Sequence, residues 1–205
     1  YEDVTNNDNR GAVYVFEKVQ NVWTQKQKLT ADYEEAGDRF GCDVDINGDV
    51  IVVGAVNHDL NNIANTGAAY IFEYNGTQWI QVKKIFALDN QEEDHFGISV
   101  SVSEKVVAIG AYNEDPNNQS NAGSVYVFEK EGEEWIQHDK LVPDDSQPYD
   151  NFGISVSIDN NIMVVGAYGN NNSLGRVYIF EKYDQWHQRE KLISDPIEKY
   201  NCFGE

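Results

Sequence analysis

The sequence has little cysteine, little basic charge and no long apolar run. Cys42 and Cys202 are the two cysteines among 205 residues. Neither sits in a C-x-x-C pair or a zinc-ligand spacing, which excludes a metal-stapled finger or a dithiol redox motif. They occupy different positions in a repeat described below and fall about three units apart, too far for a disulfide. Both read as buried free thiols. Lys and Arg number 15 against 35 Asp and Glu, for a net charge of −20. Phosphate backbones are bound by basic surface, so nucleic acid is excluded as a partner class. No apolar run approaches the length that spans a bilayer, so this segment carries no helical membrane insertion. No window has the spacing of a long amphipathic helix either.

What the sequence has is repetition. "FGISVSVSEKVVAIGAY" starts at Phe96, and "FGISVSIDNNIMVVGAY" starts at Phe152. The Phe-Gly pair occurs as Phe40-Gly41, Phe96-Gly97, Phe152-Gly153 and Phe203-Gly204. "GAVYVFEK", "GAAYIFEY", "GSVYVFEK" and "GRVYIFEK" start at Gly11, Gly67, Gly123 and Gly175. The four tryptophans, Trp23, Trp79, Trp135 and Trp186, share one position in the repeat. Register kept over successive copies of this length marks a repeat architecture.

Each unit reads as four short strands. Phe96 to Val102 alternates polar and apolar, the period of a strand. Val106 to Gly110 is a continuous apolar run of buried-strand length. Ser124 to Lys130 is rich in Val, Tyr and Phe, which strands favour. Trp135 to Leu141 mixes apolar and charged residues, as an edge strand does. The first hairpin is short, and Asn47-Gly48 predicts its turn, with both residues at positive φ. Two connections per unit are long, for example residues 30–39 and 56–66. Strand direction alternates, so both emerge at the same end of the unit. Tyr14, Phe16, Trp23 and their repeats are expected to fill the space between neighbouring sheets.

These motifs, "FGxSV…VVGA…GxVYVFEK…WxQxxKL", resemble the FG-GAP repeat of integrin α-chain propellers and many secreted proteins. The likeness is nearest to a variant with a short first hairpin and a Trp-Gln strand. It implies an all-β fold, a β-propeller of four-stranded antiparallel blades with the Phe-Gly strand innermost. The expected division is a half blade over 1–29, blades over 30–85, 86–141 and 142–192, and the start of another over 193–205. The chain then covers about three and a half blades of a larger propeller, of about seven blades within the usual range. Phe40, Gly41, Phe96, Gly97, Phe152 and Gly153 are read as structural, and so are the four tryptophans.

The long loops hold most of the acid. With the N-terminal stretch they carry 19 of the 35 Asp and Glu residues, and only Arg10, Arg39 and Lys199 of the 15 bases. Lys28, Lys84, Lys140 and Lys191 are placed on the outer strand, away from that face. The candidate binding face comprises Asp32, Glu34, Glu35 and Asp38 in one loop, and Asp89, Glu92, Glu93 and Asp94 in the next. Asp144, Asp145 and Asp150 come from a third loop, and Asp59, Glu114 and Asp115 from the second loop family.

Asp43, Asp45, Asn47 and Asp49 place oxygens at alternate positions, a pattern that suits calcium. The calcium-binding hairpins of integrin-type repeats are longer, however. Here Asp43 and Asp45 fall on strand positions that carry Ser99 and Ser101 in the next unit. The reading is therefore no metal and no cofactor, with calcium the one candidate. Paired carboxylates perform glycoside hydrolysis, but these acidic runs recur between units, whereas a catalytic pair belongs to one place. His58, His95, His138 and His187 adjoin no candidate nucleophile, so no catalytic residue is assigned. Sequons at Asn75, Asn118 and Asn171 fall in loops or turns, where acceptors must lie.

Together these features lead to the expectation of a non-enzymatic extracellular or cell-surface recognition propeller. Its long acidic loops would bind a protein or a glycan. The alternative is a structural unit of a surface assembly, partnered by further copies or segments of the same propeller. A secreted hydrolase domain ranks last.

Overall fold

The computed structural model describes residues 10–32, 36–169, 175–194 and 203–204. Glu34, Glu35, Asn171 and Cys202 lie outside the described residues. Among the described residues, fourteen strands form one two-stranded and three four-stranded antiparallel sheets. The first sheet pairs β1 (Val13–Val19) with β2 (Val22–Leu29). The next is β3 (Phe40–Asn47), β4 (Val50–Ala55), β5 (Ala68–Tyr74) and β6 (Trp79–Ile85), in that spatial order. β7 (Phe96–Ser103), β8 (Val106–Ala111), β9 (Ser124–Glu131) and β10 (Glu134–Leu141) repeat the plan. So do β11 (Phe152–Asp159), β12 (Ile162–Ala167), β13 (Arg176–Lys182) and β14 (Trp186–Ile193). Among the described residues one 3₁₀ turn, Pro116–Asn118, is the only helical element. This is the layout of propeller blades, with each chain segment meandering from its Phe-Gly strand outward.

The Phe-Gly strands join the blades. β7 packs on β3 and β4, and β11 on β7 and β8. Each time, the Phe amide donates to a carbonyl of the preceding blade: Phe40 to Arg10, Phe96 to Thr66 and Phe152 to Ala122, at 2.9, 3.0 and 2.9 Å. The glycines are required by this approach. A Cβ on Gly123, which has φ +84°, would lie 2.1 Å from the Phe152 carbonyl oxygen. A Cβ on Gly110 would lie 1.9 Å from the Gly153 carbonyl oxygen. Phe203 and Gly204 seat in the same way against Gly175 and Gly166 of the third blade.

Apolar layers fill the spaces between sheets. Val52, Ala69 and Ile71 of the first full blade meet Phe96, Tyr126, Phe128 and Trp135 of the second. Phe40, Phe96 and Phe152 are buried and stand edge-on to Tyr70, Tyr126 and Tyr178, with centroids 5.4, 5.4 and 5.5 Å apart. Each aromatic layer therefore faces the preceding blade. This corrects one expectation. Tyr14, Phe16 and Trp23 fill no inter-sheet space and are 40%, 51% and 66% exposed. They point away from the first full blade, onto which Val13, Val15 and Leu29 pack instead. Trp135 and Trp186 are buried and Trp79 is half-buried, as expected for layers that have a sheet in front of them.

The first hairpin also differs from expectation. Asn47 pairs with Val50 as a strand residue, so the turn is Gly48–Asp49, one residue later than read. Gly48 takes φ 57°, and Glu104 and Asn160 take φ 52° and 54° at the matching positions. The turn position is therefore filled by Gly, Glu and Asn, and of these only Glu is not an evident turn residue.

Candidate functional site

The long loops gather at one end of the blades and are bonded to one another. Glu93 and His95 donate their amides to Ala64 and Asn65 of the preceding blade, and Asn65 Nδ2 donates to Glu93 Oε1 at 2.8 Å. One blade later, Tyr149 and Asn151 donate to Ser120 and Asn121. The repeated outer-strand glutamine fastens the loops below. Gln81, Gln137 and Gln188 accept the amides of Asp32, Leu88 and Asp144 at 3.1, 3.3 and 3.1 Å. The repeated Gln was legible in the sequence, but its role as a loop anchor was not.

The acids of this end divide into two sets. Asp32, Asp59, Asp89, Glu92, Glu93, Asp144 and Asp145 are exposed, and Asp115 is half-buried. Asp38, Asp94, Glu114 and Asp150 are buried and do not belong to the surface, a correction to the face drawn from sequence. Each has a hydrogen-bond or ion-pair partner that offsets the cost of its burial. Asp38 bonds His58 Nδ1 at 3.0 Å. Asp94 accepts the Gln91 amide at 2.6 Å. Glu114 accepts from the Ser124 hydroxyl at 2.5 Å and from Lys140 at 2.8 Å. Asp150 pairs with Arg176 at 2.7 Å.

The outer-strand lysines are also relocated. β6, β10 and β14 end beside the loops, so lysines near their ends reach into the loop end. Lys140 bonds Asp89 at 2.7 Å, Lys191 bonds Asp145 at 2.5 Å, and Lys84 lies 2.7 Å from His58 Nε2. Lys28 lies over the Tyr14 ring. Asp89 and Asp145 are thus neutralised by pairing. Among the described loop residues, the exposed carboxylates without such a lysine are Asp32, Asp59, Glu92, Glu93 and Asp144, although Glu93 also lies 3.6 Å from the His95 ring.

Burial and pairing set the proton affinities here. Burial pushes the Asp94 carboxyl up to about 7, against the Gln91 hydrogen bond, and the charges of Glu114 and Asp89 add to the rise. Burial opposes charge on Lys140 too, but its bonds to Asp89 and Glu114 outweigh this and raise its pKa. Asp89 is held below the ordinary carboxylate value, since the Lys140 and Tyr126 hydrogen bonds overcome its burial.

The calcium candidates serve another purpose. Asp43 Oδ2 accepts the Val100 amide at 2.7 Å. Asp45 Oδ2 accepts the Val102 amide and the Ser101 hydroxyl, both at 2.8 Å. Asn47 accepts the Glu104 amide at 3.2 Å. These side chains clamp β3 to β7, and Ser101 and Ser103 continue the ladder to Ile158 and Asn160. Asp49 sits in the turn, exposed. No group of three or more His, Cys, Asp or Glu placed to hold a metal occurs among the described residues. Asn75 and Asn118 are both exposed. Asn75 lies in the β5–β6 turn, where its Oδ1 accepts from Thr77 and Gln78.

No described helix is long and apolar enough to cross a membrane. No curated protein matches the chain. The model of the FG-GAP repeat matches three times, over residues 23–72, 79–128 and 135–180. Each match begins at a repeat Trp and ends at a repeat Phe, so it joins the outer strand of one sheet to the first three strands of the next. With the match spanning most of the chain and the sheets laid out as blades, the chain belongs to the FG-GAP repeat family.

Proposed function

We propose that this protein is a non-enzymatic extracellular recognition module whose loop end binds a protein or glycan partner. FG-GAP repeats are found in extracellular adhesion-type proteins, which supports the compartment and the class. One observation carries the choice of face. Asp32, Asp59, Glu92, Glu93 and Asp144 are exposed on loops that are hydrogen-bonded from blade to blade. A surface of interlinked loops loses little freedom when it binds, which favours affinity. Its exposed carboxylates attract basic groups and speed their encounter. Buried Asp94, Glu114 and Asp150 fix the loops from beneath and take no part in contact.

A synthetic Lys/Arg-rich peptide is a suitable probe. Its association rate with the chain should fall as salt rises, because exposed charges are screened within about 8 Å at physiological ionic strength. The combined change Glu92→Gln, Glu93→Gln and Asp144→Asn should slow association more than Glu104→Gln with Glu134→Gln at the short-turn end. Equal slowing by both sets would remove the loop end as the binding face.

A further inference from the structure

The contact between one full blade and the next uses the same Glu–Lys pair at both boundaries. The Glu of "VYVFEK" on one blade receives the Lys of the same motif on the blade that follows. Glu73 takes Lys130 Nζ on both carboxylate oxygens at 2.7 Å, and Trp135 Nε1 at 3.0 Å. Glu129 takes Lys182 on one carboxylate oxygen, and Trp186 beside it makes no hydrogen bond to the pair. Around this pair, small and branched residues of the first blade meet the Tyr, Phe and Trp of the second.

Both halves of this contact recur, uncovered, on the two outward faces of the described structure. The face of the third blade presents Glu181 at the receiving position, with Ile162, Val164 and Leu192 exposed around it. Tyr183 and Arg189 of the same blade hold Glu181 Oε2, at 2.7 and 3.2 Å, with Oε1 outside those two bonds. The face of the β1–β2 pair presents the donating set, with Lys18, Tyr14, Phe16 and Trp23 all exposed. Lys18 stands where Lys130 and Lys182 stand in their blades, and Trp23 where Trp135 stands. Apolar side chains of this size exposed together on a β-sheet face mark an interaction surface.

We propose that these two faces bind each other between copies of the chain. The β1–β2 pair of one copy seats on the third blade of the next, with Lys18 on Glu181 and Trp23 beside it. Charge and shape argue for this occupant, since the chain already makes the same contact internally between its first and second and its second and third full blades. Phe203-Gly204, seated against Gly166 and Gly175, supplies the inner edge on which the incoming pair lies. A contact between two different faces is heterologous, so it builds a ring where the rotation closes and a filament where it does not. The inference concerns the end faces and does not rest on the loop-end reading.

The test is sedimentation velocity of the 205-residue chain from low to high micromolar concentration. The weight-average mass should rise with concentration. Glu181→Lys and Lys18→Glu should each weaken association by about tenfold or more. Lys18 is exposed and Glu181 half-buried, so circular dichroism checks that the variants fold. The two changes combined in one chain should restore association, because the exchanged charges meet again. The loop variant Glu92→Gln with Glu93→Gln should associate like the parent, which keeps this result separate from the loop-end reading. A single-chain mass at every concentration would overturn the proposal. So would single variants that associate like the parent, or a double variant that stays as weak as the single ones.

Discussion

Asp45 Oδ2 accepts the Ser101 hydroxyl at 2.8 Å across the boundary between two blades, and the same oxygen takes the Val102 amide at 2.8 Å. A carboxylate occupied in this way is a joint between inner strands. Hydrogen bonds to charged groups contribute about 1.5–3 kcal/mol. Asp45→Ala should therefore lower the free energy of unfolding by about that amount, and Asp45→Asn by less, since the amide oxygen still accepts one bond. Urea denaturation measures both. A melting temperature unchanged by calcium in the parent, with a clear loss in Asp45→Ala, would separate the joint from a metal site.

Phe128 and Phe16 share one repeat position and have opposite surroundings. Phe128 is 4% exposed and lies in the layer between blades. Phe128→Ala should cost about 3–5 kcal/mol, as for a large core aromatic. Phe16→Ala should stay within about 0.5 kcal/mol, as surface changes do. Equal costs would show that β1 and β2 are covered in the free chain, and would change the reading of the end face.

Gly123 and Gly76 both have positive φ, at +84° and +91°. Alanine at Gly76 meets nothing within 4 Å, so its cost is backbone strain alone, about 1–3 kcal/mol. Alanine at Gly123 adds the clash with Phe152 and should cost more. The difference between the two, read from denaturation midpoints at constant slope, measures how firmly the Phe-Gly strand is seated. Equal losses would mean that the inner strand yields.

Asp94 makes stability depend on pH. Its carboxyl titrates at about 7 when folded, against 3.8 for the ordinary group. Between those values the folded state holds a proton that the unfolded state has released. Stability therefore falls as pH rises through this window, by up to about 1.4 kcal/mol per pH unit. Below the ordinary value both states are protonated and the contribution is complete. Above about 7 it is lost. Asp94→Asn should flatten the profile between pH 5 and 7 and leave the variant the more stable of the two at pH 8. A parallel profile for both proteins would show that Asp94 is already ionised at pH 5.

The blades were legible in the sequence because four tryptophans and four Phe-Gly pairs keep one register, and every strand lies where its period placed it. The division of the acids was not legible. Glu93 and Asp94 are neighbours in one run, yet one is exposed and the other is 2% exposed. Nothing in composition separates them, because burial depends on which blade lies behind the loop. The reach of Lys140 was hidden for a similar reason, since a strand position fixes the Cα of a lysine but not where its four-carbon chain ends. Asp43 and Asp45 came closer to being read. Their alignment with Ser99 and Ser101 already placed them on a strand, and only the partner strand was missing.

Cys42 bears on how the boundary between the first two full blades opens. Its thiol donates to the Gly97 carbonyl at 3.1 Å, the part that the hydroxyls of Ser99 and Ser155 play toward Gly153 and Gly204 at 2.8 and 3.0 Å. Burial pushes the Cys42 thiol up to about 11. Cys42 is half-buried rather than buried as expected, but alkylating reagents attack through the thiolate, so the closed boundary protects this sulfur chemically. Separation of β7 from β3 exposes it and restores its ordinary acidity. The rate at which a small alkylating reagent consumes Cys42 thus times a single event in the native protein, the parting of two neighbouring blades, with no substitution needed.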